Sequence, residues 1–253
     1  TDGTRDHLKM YNTIIIIKKL TLLLFLITTV SACSSNASKP TQKESKAAEY
    51  NARLGAEYTR KGRLNLANEK LQKALEQNPH SSGAHHYYAL LQQKLGENQK
   101  ADKHFKAAIR ISPKDPQLLN NYGSHLCKLG HFDDASKQFM AALNDPLYTT
   151  PEFAYTNAGI CIKKSGDTTQ AERYFRKSLE LKPSFGSALF QMAKLKYEQG
   201  DNARALAFLQ RYHEKNREDT GTLSLCAKIN TSLGDTEAAT QCSNKLAGSF
   251  SGN

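Results

Sequence analysis

Cysteine and histidine are the side chains most able to do chemistry here, and the 253-residue chain holds five and eight of them. No HExxH, GxSxG, phosphate-binding loop or CxxC pattern links them, so the familiar metal, nucleophile and nucleotide signatures are missing. The histidines from His80 to His213 are scattered. His85 and His86 are neighbours on an expected helix and therefore point apart, which is poor ligand geometry. His85 falls where a large core residue is expected. Asp133 and Asp134 open a helix, where acidic side chains favour the helix dipole. These patterns imply neither an enzyme nor a bound cofactor or metal. The chemistry left is that of the thiols Cys33, Cys127, Cys161, Cys226 and Cys242: acylation or disulfide formation.

Cys33 has a distinctive setting. Lys18 and Lys19 precede an uncharged run of eleven residues, Leu20 to Val30. As a helix this run covers about 16 Å, roughly half of a bilayer's hydrocarbon core. Basic residues, a short apolar run and small residues make a secretory signal, with residues 1–9 upstream of the first methionine, Met10. The string Val30-Ser31-Ala32-Cys33 resembles the bacterial lipobox, in which the chain is cut before a cysteine that carries the lipid. A cysteine following an ordinary cleavable signal, or an uncleaved anchor, is the plainer alternative. Ser34, rather than aspartate, resembles lipoproteins sent to the outer membrane. A triacylated cysteine exceeds the two signals stable attachment needs.

Charge is then less informative than it looks. The chain carries +11, which suits nucleic acid, anionic membrane or acidic protein alike. Removing residues 1–32 takes away Arg5, Lys9, Lys18 and Lys19 with Asp2 and Asp6, leaving +9. An exported lipoprotein does not meet chromosomal DNA, so nucleic acid is not expected as a partner. Residues 33–47, with the polar stretch SSNASKPTQKES, form the lipidated end and a tether.

The rest of the chain repeats. Gly62, Gly96, Gly130, Gly166, Gly200 and Gly234 are 34, 34, 36, 34 and 34 residues apart. An alanine follows each by five residues: Ala67, Ala101, Ala135, Ala171, Ala205 and Ala239. Four residues further come Leu71, Phe105, Phe139, Phe175 and Leu209, with Ser243 in the last unit. Pro79, Pro113 and Pro183 close units, and Pro146 is slightly displaced. This order resembles the tetratricopeptide repeat, a helix–turn–helix unit.

Each position has a physical reason. The glycine supplies a tight turn between helices A and B. The alanine lets helix B approach helix A, and the bulky residue one turn later fills the space between them. Proline ends helix B. Asp167 and Gln170 form an expected capping box. The units are 48–81, 82–115, 116–149, 152–185, 186–219 and 220–253, with a turn-rich insertion, NDPLYTTP, between the third and fourth. Each buries its apolar face on its neighbours, so residues 48–253 should form an all-α, right-handed superhelix of six repeats.

Four cysteines remaining after lipidation allow three pairings. Cys127 and Cys161 lie late in the A helices of consecutive units, which pack side by side at a separation a disulfide can bridge. Cys226 and Cys242 face each other within unit six. Local pairing is the simplest solution in an oxidising compartment, although some of these residues could be small buried hydrophobes instead.

A repeat solenoid binds partners on its concave face, lined by A helices. The inward offsets select Leu90, Gln93, Asn120, Ser124, Phe153, Ile160, Lys163, Lys164, Phe190, Lys194 and Tyr197. Phe153, Phe190 and Tyr197 beside Lys163, Lys164 and Lys194 suit a peptide with apolar and acidic character.

Certain strings are more specific. Leu119-Asn120-Asn121-Tyr122-Gly123 leading to Leu126-Cys127, NAGIC at 157–161, GDTTQAERYFRKSLELKP at 166–183 and LAFLQRY at 206–212 resemble the PilF/PilW (pilotin) family of type IV pilus biogenesis lipoproteins. The resemblance spans essentially the whole mature chain. It implies an outer-membrane lipoprotein, facing the periplasm of a Gram-negative bacterium, that binds the pilus secretin subunit and promotes its localisation and multimerisation. Pilus biogenesis and twitching motility would follow. It further implies Cys33 as the lipid site and Cys127–Cys161 as a bridge, and a monomer is expected. Cys226 and Cys242 depart from the family pattern. The rival scaffold readings are a lipoprotein serving β-barrel assembly or recruiting peptidoglycan hydrolases.

Overall fold

The computed structural model describes residues 39–251, without the side chains of residues 250 and 251. The signal segment 1–32, Cys33 and most of the expected tether lie outside the described residues. From Gln42 onward the chain forms six antiparallel helix pairs. These are α1 (Gln42–Arg60) with α2 (Leu64–Gln77), α3 (Ser82–Lys94) with α4 (Asn98–Ile111), and α5 (Pro116–Lys128) with α6 (Phe132–Leu143). They continue with α7 (Pro151–Lys164) and α8 (Thr168–Leu181), α9 (Gly186–Glu198) and α10 (Asn202–His213), and α11 (Thr220–Leu233) and α12 (Thr236–Ser251). There is no strand among the described residues, and no helix of theirs is long and apolar enough to cross a membrane.

The spaced residues do what their types require. All six turn glycines have positive φ, from 76° to 105°, a region where a Cβ costs roughly 1 kcal/mol or more. Ala67, Ala101, Ala135, Ala171 and Ala205 are completely buried, and Leu71, Phe105, Phe139, Phe175 and Leu209 are buried against them. Pro79, Pro113 and Pro183 each stand two residues beyond the end of a B helix.

Two sequence expectations need adjustment. Helix α1 begins at Gln42, inside the segment 33–47 expected to be a tether, because nothing between Lys43 and Ala47 breaks a helix. The first residue it buries is Ala48, so packing starts at the expected boundary. Asp167 Oδ1 accepts the Gln170 backbone N–H at 2.8 Å, but the Gln170 side chain accepts from Arg173 instead of closing a capping box. The complete box is at Asp219 and Thr222.

Polar groups tie the helices together within and between repeats. Thr156 donates to Ser178 Oγ and Ser178 to the Glu152 carbonyl, both at 2.9 Å and both buried. Lys196, with a side chain only 6% exposed, meets Glu172 at 2.7 Å and Gln199 at 3.0 Å. In the insertion before α7, Tyr148 packs on Leu119, Ala142 and Ala154 while Leu147 stands 84% exposed.

Candidate partner-binding groove

The A helices α9 and α11 enclose a groove of about 330 Å³. Phe190, Lys194, Tyr197 and Glu198, the last paired with Lys163, form one side; Gly221, Ser224, Leu225 and Lys228 form the other. Residues at i, i+4 and i+7 share one helix face, which is why α9 presents Phe190, Lys194 and Tyr197 together. The Lys194 ammonium sits 5.8 Å from the Phe190 ring centroid, and neither Lys194 nor Lys228 has a carboxylate partner among the described residues. The groove therefore combines aromatic area with two uncompensated cations, a surface for an apolar side chain flanked by carboxylates.

Phe190 also lines a second recess of about 500 Å³ with Lys182, Phe185, Tyr212, Asn216 and Asp219. Burial, reinforced by the Asp219 carboxylate, pushes the Tyr212 hydroxyl up from its ordinary range. That hydroxyl donates to Asp219 at 3.3 Å. Phe153, 45% exposed, packs edge-on against Phe185 with ring centroids 4.6 Å apart. An aromatic strip thus joins α7 to α9.

Several other residues at the inward offsets serve the solenoid itself. Asn120 is buried and accepts from Asn157 Nδ2 at 3.0 Å, bracing repeat three against repeat four. Ser124 donates to the Asn120 carbonyl. Leu90 and Ile160 pack on the cores of their repeats. Lys163 pairs with Glu198 across repeats four and five, which cancels its charge as a peptide contact. Gln93 is half-buried and Lys164 exposed, and neither lines the groove. The inward offsets thus mix partner-facing positions with inter-repeat struts.

The sequence reading missed Ser224 and Lys228, which line the groove from repeat six. They stand 34 residues after Phe190 and Lys194, so carrying the period one unit further would have found them.

Two disulfides brace this frame. Cys127 and Cys161 join α5 to α7 with Cα atoms 5.6 Å apart. Cys226 and Cys242 join α11 to α12 at 6.0 Å, fixing a helix that forms one groove wall. No group of three or more His, Cys, Asp or Glu arranged for a metal occurs among the described residues.

Helix pairs stacked at a 34-residue period, with a groove along their A helices, define a tetratricopeptide repeat protein. Tetratricopeptide repeat families match residues 53–116 and 164–241. The crystal structure of PilW, a widely conserved type IV pilus biogenesis factor, is 31% identical in sequence. It superposes with a TM-score of 0.73 over 81% of this chain and 94% of PilW. The PilF structure from Pseudomonas aeruginosa gives 0.72 at 25% identity, over 84% of this chain and 96% of the other. The type IV pilus assembly protein PilF of Pseudomonas aeruginosa PAO1 is 26% identical over 83% of both chains. The chain belongs to the PilF/PilW family of tetratricopeptide type IV pilus biogenesis factors.

Proposed function

We propose that the protein is a pilotin: an outer-membrane lipoprotein, anchored through Cys33, that captures the type IV pilus secretin subunit and promotes its assembly into the pore. The observation that carries this reading is the match to PilW and PilF along nearly their whole lengths. The groove between α9 and α11 supplies a physical means of capture, through Phe190 and Tyr197 as anchors and Lys194 and Lys228 as cations. The acyl chains hold the scaffold at the inner leaflet of the outer membrane. Binding there converts the encounter of secretin subunits into one at high local concentration. It also covers their apolar surface until rings form. No catalytic step is required, and the acyl chains engage outer-membrane lipid.

Membrane fractionation tests the anchor, and co-purification tests the partner. Wild-type protein should float with outer membranes and bring down secretin subunits. Cys33→Ala should accumulate in the soluble periplasm while still binding secretin. Co-purification of β-barrel assembly factors or peptidoglycan hydrolases, with no secretin, would move the protein to the rival scaffold reading.

A further inference from the structure

His85 and His104 meet across the hairpin of repeat two, on α3 and α4. Their Nδ1 atoms are 3.0 Å apart and their ring centroids 5.2 Å. The other nitrogen of His85, Nε2, lies 3.1 Å from the Pro79 carbonyl oxygen. A carbonyl can only accept, so His85 carries its proton on Nε2 and keeps the Nδ1 lone pair. His104 must then donate from Nδ1 in the metal-free protein. An imidazole that ligates a metal through one nitrogen commonly donates the other N–H to a carbonyl, which fixes tautomer and ring orientation. His85 is already arranged in this way.

Two imidazole nitrogens each about 2.0–2.1 Å from a tetrahedral zinc ion stand about 3.3 Å apart. The His85 and His104 nitrogens, 3.0 Å apart, need to separate only slightly to reach that spacing. Ligation needs two changes: His104 moves its proton to Nε2, and both rings turn so that their lone pairs converge on one point instead of on each other.

We propose that His85 and His104 form a two-histidine site for a borderline transition-metal cation such as Zn²⁺, which would clamp helices A and B of repeat two, with water completing the coordination. This site is separate from the groove of repeats five and six and does not rest on the pilotin reading.

The surroundings set its character. Arg110 and His80 near His85, and Lys103 near His104, oppose positive charge. That repulsion acts on any dication, so the donors decide: imidazole nitrogens suit Zn²⁺, whereas Mg²⁺ requires oxygen ligands that the pair does not offer. With two protein ligands and cationic neighbours, binding should be weak and reversible.

The test uses the full chain without a histidine tag and Zn²⁺ as the probe. Zinc should raise the melting temperature by a few degrees, with Mg²⁺ inactive and a chelator reversing the effect. His85→Phe and His104→Phe should each abolish the rise. Should either variant fail to fold, imidazole nitrogen resonances of the wild type give an independent reading: zinc should shift both Nδ1 signals at one equivalent. A melting temperature indifferent to zinc, an equal rise in both variants, or unshifted Nδ1 resonances would overturn the proposal.

Discussion

Gly159 lies directly under the ring of Phe175: a Cβ on Gly159 would come within 2.5 Å of Phe175 Cε1. The same relationship holds for Gly123 under Phe139 and for Gly55 under Leu71. The missing side chain on helix A admits the bulky residue of helix B. Gly159→Ala should therefore destabilise the fold by about 1–3 kcal/mol through overpacking. Gly83→Ala, where no atom lies within 4 Å of the new Cβ, should be neutral or stabilising by up to about 1 kcal/mol. Urea midpoints of the two variants check this contrast.

Truncating Phe175 probes the same junction from the other side. Phe175→Ala should cost about 3–5 kcal/mol, as expected for a fully buried aromatic residue. Phe153→Ala, on an exposed ring, should alter stability by much less while weakening secretin capture. Denaturation curves and pull-downs on the same two variants separate packing from binding.

The Cys127–Cys161 bridge spans a sequence separation of 34 residues, a loop whose closure is worth about 3–4 kcal/mol in the chain-entropy description. The double variant Cys127→Ser/Cys161→Ser should unfold at lower denaturant and lose its response to reductant at that site. An unchanged midpoint would show that the bridge contributes nothing to stability.

His86 gives the stability a pH dependence. Burial pushes it from 6.5 down to about 4, and its Nε2 accepts from Asn121 Nδ2 at 2.9 Å. Between those two values the unfolded chain binds a proton that the folded chain refuses, so acidification favours unfolding. The contribution is intact above pH 6.5 and declines as the pH falls toward 4. Between pH 7 and pH 4.5 the wild type should lose roughly 2 kcal/mol more than His86→Gln. Parallel curves for the two proteins would contradict the assignment.

Much of this architecture was legible in the sequence, because the repeat writes the same demand six times. Gly62 to Gly234 marked the turns, and Ala67 and Leu71 with their successors marked the B-helix core. The A helices were harder. Asn120 reads as an open polar position, and only the third dimension shows it bonded to Asn157. Gly159 and Gly123 stood within recognised strings, yet their role depends on the ring above them. His85 was expected at a core position, yet His86 is the buried one of the two, and the partner of His85, His104, lies on another helix, beyond the reach of spacing rules within one helix. The insertion near Pro146 was evident, whereas the burial of Tyr148 and exposure of Leu147 depend on how that turn folds back.

The groove makes a claim that charge can test. Lys194→Glu with Lys228→Glu should leave the melting temperature nearly unchanged, since both side chains lack ion-pair partners among the described residues. Secretin binding should fall at least about tenfold, a loss of roughly 1.4 kcal/mol or more. Equal binding by the charge-reversed protein would move the contact surface elsewhere on the solenoid.

The most direct measurement of the pilotin role is the secretin multimer itself. Outer-membrane extracts from a strain lacking this gene, run unheated on a denaturing gel, should show secretin monomer without the high-mass ring. Wild type should restore the ring, and Cys33→Ala or the doubly charge-reversed groove should restore it poorly. Normal rings and surface pili in the deletion strain would contradict the account.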